Sequence, residues 1–209
     1  DNFYLIKDEG VFNRDSDGHY TFMSTISESQ LYNATEHGLT STDESEQAIA
    51  AAEFANKAGW YIELTTEGEK VLASPLIIDY KVFFTTYVPA VSSTSACAPP
   101  TGNSRAYLVN MFNGNAVSDL NNNGDLDSGD RYADLKQTGI APETKILIED
   151  IVSPVVCLGT ECVSAVIQVD EEGNEEACTS AFACLAENIY GKFERIQRGA
   201  WHSETERNE

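Results

Sequence analysis

The chain has 209 residues, of which 42% are hydrophobic, and a formal net charge of −21 from 13 basic and 34 acidic side chains. Nucleic acids and anionic membrane surfaces are therefore poor candidates as partners, because both are bound by clustered lysine and arginine, and divalent cations are favoured. No apolar run approaches the roughly 20 residues that span a bilayer, so we expect no direct membrane insertion.

The first part of the chain combines one strand, a polar segment and one helix. Residues 3–7 predict a strand, whereas residues 24–42 are rich in Ser, Thr and Glu and are typical of a loop. Residues 43–57 have acidic side chains at the start, alanines in the middle and a glycine after the end, which predicts a helix. We therefore expect a helix-bearing insertion over about 24–58.

Strand patterns dominate the middle of the chain. Residues 59–64 alternate, and residues 68–89 contain two apolar runs around Asp79-Tyr80, which is typical of a hairpin. Residues 105–112 predict a strand that ends in a turn at Asn113-Gly114. Recurring local hairpins predict a mainly β, antiparallel fold.

The C-terminal part reads as one short helix and further strands. Residues 128–137, SGDRYADLKQ, predict a helical piece that Gly139 ends. Residues 144–157 and 163–169 predict strands, and residues 191–201 are compatible with a last one. The chain opens inside a strand pattern and lacks a signal-peptide pattern. A mature protein or a fragment of a longer chain would both begin this way; we favour the fragment, the C-terminal part of a longer chain, and expect one domain.

Cysteine spacing indicates an oxidising compartment. Four of the five cysteines fall within residues 157–184, which predicts a Cys-rich hairpin with disulfides, although buried free thiols are an alternative. The sequence does not define the pairing, and the fifth cysteine either stays unpaired or pairs outside this chain. The five are Cys97, Cys157, Cys162, Cys178 and Cys184.

The stretch 119–130, DLNNNGDLDSGD, holds four Asp and three Asn in twelve residues. Calcium takes six to eight oxygen ligands, and the EF-hand-type pattern D-x-[DN]-x-[DN]-G supplies them from one loop with a sharp turn at the glycine. We expect Leu126 to anchor the loop to the core. The predicted ligands are Asp119, Asn121, Asn123, the main-chain carbonyl of Asp125, Asp127 and Asp130, where Asp replaces the usual last Glu.

Two alternatives concern the acidic segments. An acidic turn that binds nothing would leave the clustered carboxylates of residues 119–130 repelling one another, which favours the calcium interpretation. A second segment, residues 13–24, starts with similar spacing, but Ser24 at its last position is a poor ligand. We interpret residues 13–20 as a plain β-turn.

Sequence motifs for catalysis are not found. The chain lacks a G-x-S-x-G elbow, a P-loop, an HExxH pair and a Gly-rich dinucleotide fingerprint. We therefore expect a protein that is not an enzyme.

Several segments resemble known β-propeller proteins. Residues 74–87, SPLIIDYKVFFTTY, resemble the paired strands of a quinoprotein-like propeller blade, and residues 106–117, AYLVNMFNGNAV, are similar to a blade repeat that ends in an Asn-Gly turn. The order of these segments with FYLIKD, NKAGWYIEL and the calcium loop resembles the C-terminal domain of the type IV pilus tip adhesin family, the PilY/PilC-type pilus biogenesis factors. Residues 195–204, RIQRGAWHSE, are similar to the ending of those proteins.

The resemblance implies a modified or partial quinoprotein-like β-propeller with antiparallel blades and helical insertions. A blade takes roughly 40–45 residues, so 209 residues with long insertions are too few for a closed propeller. The resemblance also implies an extracellular location at the pilus tip or bacterial outer surface. Minor pilins or other tip subunits are the implied partners, together with a host or surface receptor, and Ca²⁺ would regulate pilus extension against retraction.

Two other classes share features with the chain. A fragment of a quinone-cofactor (PQQ-type) dehydrogenase would have blade signatures and calcium, but such enzymes often carry an adjacent Cys pair, which this sequence lacks. A dockerin-like interaction module would carry two calcium loops in tandem, and only residues 119–130 match well. Both remain alternatives to a pilus tip adhesin domain.

Overall fold

Three β-sheets and two α-helices form the part of the chain that the computed structural model describes. That part comprises residues 1–8, 14–20, 25–36, 38–90, 101–121, 123–147, 154–158, 160–165, 178 and 180–189. The strands are β1 (Asn2–Ile6), β2 (Tyr32–Asn33), β3 (Gly59–Glu63), β4 (Lys70–Val71), β5 (Leu76–Ile78), β6 (Lys81–Val88), β7 (Asn103–Asn110), β8 (Tyr132–Thr138), β9 (Lys145–Leu147), β10 (Val155–Leu158) and β11 (Glu161–Ser164), and the helices are α1 (Glu44–Phe54) and α2 (Ala181–Glu187).

The prediction of a mainly β fold is confirmed. Sheet I has the order β1-β3-β2, sheet II joins β4 and β5 to β6-β7-β8, and sheet III has the order β11-β10-β9. Among the described residues all strand pairs are antiparallel except β2 with β3, which run parallel, so sheet I is not a purely antiparallel blade. The described residues form no closed barrel and no closed propeller.

Sheet II lies between the other two layers because its central strands are apolar on both faces. On one face Phe84 and Tyr107 pack with Trp60 of sheet I. On the opposite face Phe83 and Leu108 pack with sheet III and helix α2. Neighbouring residues of a strand point to opposite faces, so this run of buried residues in β6 and β7 supports one core on each side.

Local predictions for the strands near the N-terminus are confirmed. Strand β1 and strand β3 pair through Phe3 and Ile62, and the β5–β6 hairpin turns at Asp79 and Tyr80, whose φ angles are 46° and 58°. Two left-handed residues are what a two-residue hairpin turn requires. The segment predicted as a loop at 24–42 differs, since it contains the short strand β2.

Helix α1 confirms the helical prediction at 43–57. Asp43 caps its start, with the carboxylate accepting from the N–H of Ser45 at 2.8 Å and of Glu46 at 3.2 Å. Only Ala50 of the helix is buried, so the helix lies on the surface. No helix in the described residues combines the length and apolarity needed to cross a membrane.

The predicted helix at 128–137 is wrong. One 3-10 turn spans Ser128–Arg131, and strand β8 follows directly. Ala133 and Leu135 are buried while Asp134 and Lys136 are exposed, a period of two that fits a strand. Pairing with β7 through Ala106 and Ala133 outweighs the helix propensity of Ala, Leu, Lys and Gln.

The Cys-rich region contains a hairpin and a helix. Cys157 and Cys162 face each other across the β10–β11 hairpin and form a disulfide. Cys178 is bonded to Cys184 of helix α2, an element that the sequence did not predict. The predicted disulfides are therefore confirmed for these four cysteines, and Cys97 lies outside the described residues, as does the strand suggested at 191–201.

A buried polar network crosses sheet II. Glu69 is 1% exposed, and its carboxylate accepts from Thr86 Oγ1 at 2.6 Å and Tyr107 Oη at 2.9 Å. Arg105 forms an ion pair with it at 2.9 Å. A buried carboxylate is tolerated only when such partners satisfy it, so these residues tie Glu69 to strands β6 and β7.

Candidate metal centre

The predicted calcium loop, residues 119–130, connects strand β7 to strand β8 at one edge of sheet II. Its start is held by the antiparallel bridge between Val109 and Ala116. Leu120 packs against the core on the sheet III side. Leu126, which we expected to be the anchor, is half-buried, and its carbonyl accepts a hydrogen bond from Thr40 Oγ1 at 3.1 Å.

The first half of the loop is folded around Asp119. Its two carboxylate oxygens accept from the N–H of Asn123 at 3.3 Å and of Gly124 at 2.8 Å. The loop reverses at Gly124, where φ is 92° and a Cβ would meet nothing within 4 Å. Glycine is therefore favoured here by its backbone conformation and not by crowding.

Side-chain oxygens of the two asparagines point back to the main chain. Asn121 Oδ1 accepts from the N–H of Asn123 at 2.9 Å, and Asn123 Oδ1 accepts from the N–H of Asp125 at 2.8 Å. These are Asx turns, which place an acceptor oxygen on the inside of a tight loop. Asp125 itself is exposed.

The second half of the loop is organised by Asp127 and Asp130. Asp127 caps the 3-10 turn by accepting from the N–H of Gly129 at 2.7 Å, and its other oxygen lies 3.3 Å from Asn123 Nδ2. Asp130 is 1% exposed. Its carboxylate accepts from the N–H of Leu120 at 2.9 Å, of Asn121 at 3.3 Å and of Asp127 at 2.9 Å.

The donor set suits a hard cation only if amide and main-chain oxygens take part. Among the described residues, no three His, Cys, Asp or Glu side chains lie together closely enough to hold a metal ion, so the loop carboxylates do not form a preassembled cluster. Asn123 contacts both Asp119 and Asp127, and calcium accepts amide and main-chain carbonyl oxygens as well as carboxylates. The residue types present are thus of the kind that a calcium ion accepts.

Arg131 follows the loop and was not singled out by the sequence. Its guanidinium, 1% exposed, donates to the carbonyls of Ala34, Thr35 and Gly114. Burial lowers the pKa of Arg131 to about 10, so the group stays charged at neutral pH. It joins the end of the loop to the β2 end of sheet I, and no local pattern marks a long-range contact of this kind.

The turn at 14–20 differs from the loop at 119–130. Arg14 and Tyr20 form an antiparallel bridge, and Gly18 adopts a φ of 83°. The Asp15 carboxylate accepts from the N–H of Asp17 and of His19, both at 2.9 Å. This is a tight turn closed by a bridge, as predicted, and Asn13 and Ser24 lie outside the described residues.

Comparison with known proteins identifies one curated relative. Over 93 residues the chain is 32% identical to the type IV pilus biogenesis factor PilY1 homolog of Xylella fastidiosa (strain Temecula1 / ATCC 700964). The match covers 42% of this chain and 6% of that protein, so the chain spans only a small part of the length of this relative. No family model matches the chain.

Comparison with solved structures gives the Pseudomonas aeruginosa PilY1 C-terminal domain. The similarity has a TM-score of 0.45 and 14% sequence identity, and it covers 77% of this chain and 36% of that one. The predicted resemblance is confirmed by the curated relative: this chain is similar to the PilY1-type pilus biogenesis factors.

Proposed function

We propose that this chain is a calcium-binding, non-enzymatic C-terminal domain of a type IV pilus tip-associated adhesin. In this role it supports pilus assembly, opposes retraction and mediates attachment at the bacterial outer surface. The similarity to a pilus biogenesis factor supports the pilus role. The loop at 119–130 is the observation that carries the calcium assignment.

The proposed ligands are those that the sequence predicted. Asp119, Asn121, Asn123, Asp127 and Asp130 would contribute side-chain oxygens, and Asp125 its main-chain carbonyl. A bound Ca²⁺ supplies positive charge that offsets the repulsion among the loop carboxylates. Asp130 and Asp119 hold the loop closed through main-chain N–H groups, so little rearrangement of the main chain is needed to bring the oxygens together.

The position of the loop explains how calcium would affect a partner. The loop continues into strand β8 at Arg131, which donates to the carbonyl of Thr35, and the carbonyl of Leu126 accepts from Thr40 in the region before helix α1. Ordering of the loop therefore stabilises the junction between sheets I and II. Minor pilins or other tip subunits that contact this junction would bind in a calcium-dependent way, and a host or surface receptor is the second partner class.

We also propose that the three stacked sheets are part of a modified or partial β-propeller. Sheets I, II and III follow one another along the chain and pack face to face, as successive blades do. The parallel β2–β3 pair is a departure from an antiparallel blade. Exposed sheet edges are prone to pairing, and the remaining blades of a longer chain would cover them.

Calorimetric titration of Ca²⁺ into chelator-stripped protein tests the calcium site. We expect saturable binding near one equivalent, lost in the Asp119→Ala/Asp127→Ala variant. At a free calcium concentration of a hundred times the dissociation constant, binding stabilises the fold by about 2.7 kcal/mol. The matched control is Asp15→Ala/Asp17→Ala, which removes the same charge from the turn at 14–20 and should leave binding intact.

Three results would contradict the proposal. Absence of both heat and a melting-temperature shift would mean that the loop is a solvated acidic turn. Absorbance from a bound quinone in the purified protein would favour the dehydrogenase alternative. Capture of purified minor pilins in calcium and in chelator tests the partner assignment, and capture that is equal in both conditions would contradict calcium-dependent recognition.

A further inference from the structure

A cavity of about 150 Å³ lies beside the calcium loop but outside its ligand set. It opens between the end of strand β3, the residues after β2 and the 3-10 turn at 128–131. Glu36 and Glu63 line it together with the rings of Tyr107 and Tyr132. A water molecule takes up about 30 Å³ in the liquid. The cavity is therefore several water molecules in size and has room for one long side chain.

The charge at the cavity favours a cationic occupant. Glu36 and Glu63 are exposed carboxylates, and Arg131 is the basic residue in the lining. With two negative charges and one positive charge, the lining has a net charge of −1. The Arg131 guanidinium already donates to the carbonyls of Ala34, Thr35 and Gly114. Both glutamates are exposed, and one oxygen of Glu63 accepts from Asn33 Nδ2 at 3.1 Å.

The aromatic lining fits the same occupant. The rings of Tyr107 and Tyr132 have centroids 5.1 Å apart and planes inclined by 34°. The guanidinium of Arg105 already lies 4.5 Å from the centroid of Tyr132, and Tyr107 stacks on Phe84 with ring centroids 4.8 Å apart, so these ring faces are occupied within the protein. The parts of the two rings that line the cavity can still pack against the apolar stem of a lysine or arginine side chain, whose charged end remains near the glutamates.

We propose that this cavity binds a single basic side chain, lysine or arginine, from a protein partner. The net charge of −21 on the whole chain would attract a basic surface, and one inserted cation would match the charge of the cavity. The hydroxyls of Thr65 and Ser128 at the rim provide further acceptors for an ammonium or guanidinium group. Neither carboxylate belongs to the proposed calcium ligands, so the inference does not depend on calcium binding.

The test is an NMR titration of the isotope-labelled 209-residue chain, carried out both in calcium and in chelator. The probes are Nα-acetyl-lysine amide and Nα-acetyl-arginine amide, with Nα-acetyl-norleucine amide as the uncharged comparison. We expect saturable shifts of amides around the cavity, including Gly129, with at least one cationic probe and not with norleucine. Raising the salt concentration should weaken the binding, because exposed charges are screened.

Variants then assign the site. Glu36→Gln/Glu63→Gln should weaken binding of the cationic probe about tenfold, since each exposed charge pair contributes up to about 1 kcal/mol. The control variant Glu67→Gln/Glu143→Gln removes the same charge elsewhere and should bind normally. Equal binding of norleucine, shifts that do not saturate, or unchanged affinity in the Glu36/Glu63 variant would each overturn the proposal. Calcium binding is measured in a separate titration, so the calcium proposal and the cavity proposal can each fail without the other.

Discussion

Asp130→Asn separates the structural role of the loop from its proposed role as a ligand set. Asp130 is 1% exposed, and its carboxylate accepts three main-chain N–H groups, from Leu120, Asn121 and Asp127. Asparagine is the same size but replaces one oxygen by an NH₂ group. In either orientation at least one of these N–H groups then faces a donor in place of an acceptor.

The expected cost follows from those contacts. A hydrogen bond to a charged group contributes about 1.5–3 kcal/mol, and a buried donor left unsatisfied costs about 1–3 kcal/mol. We therefore expect Asp130→Asn to lower the free energy of unfolding by about 2–3 kcal/mol without calcium. For a chain of this size that corresponds to a fall in melting temperature of about 4–12 °C.

Asp119→Asn is the matched comparison, because its carboxylate accepts two N–H groups in an exposed setting. Water replaces such bonds, so we expect a loss below about 1 kcal/mol in chelator. Urea unfolding followed by tryptophan fluorescence measures both variants, with buried Trp60 as a reporter. Equal stability of the two variants in chelator would refute the view that Asp130 is a structural residue even without a cation.

Two further predictions concern the core. Burial and, after it, the neighbouring Glu69 carboxylate raise the pKa of Tyr107 above its ordinary value of 10. Because the pKa is raised in the folded state, the contribution of Tyr107 to the free energy of unfolding is full below pH 10 and falls above it by about 1.4 kcal/mol per pH unit. Urea unfolding at rising pH should therefore show a shallower loss of stability in Tyr107→Phe. Gly114→Ala should destabilise by more than Gly124→Ala, because both glycines have positive φ but a Cβ at residue 114 would lie 2.8 Å from the Trp60 ring, whereas at residue 124 it meets nothing within 4 Å. Equal melting temperatures for the two alanine variants would contradict the packing argument.

Elements with a local signal were predicted well from the sequence. Helix α1 has its cap and alanine-rich middle within a few residues, and the β5–β6 hairpin follows from two apolar runs around a two-residue turn. Strand β8 was misread because its residues favour a helix in isolation, and pairing with β7 decides otherwise. Helix α2 was missed because its apolar residues reveal a face only when sheets II and III are present to cover it.

The sequence by itself determined the acidic loop, the hairpin turns and the mainly β class, because each depends on residue types within about a dozen positions. Only the tertiary structure decided which cysteines pair, that sheet II is covered on both faces, and that Arg131 joins the loop to Ala34 and Thr35. The cavity beside Tyr132 was likewise beyond the sequence, since its walls come from segments far apart in the chain. The spacing of residues along the chain indicates local geometry. Contacts between distant segments depend on how those segments pack, and no single stretch of sequence predicts that packing.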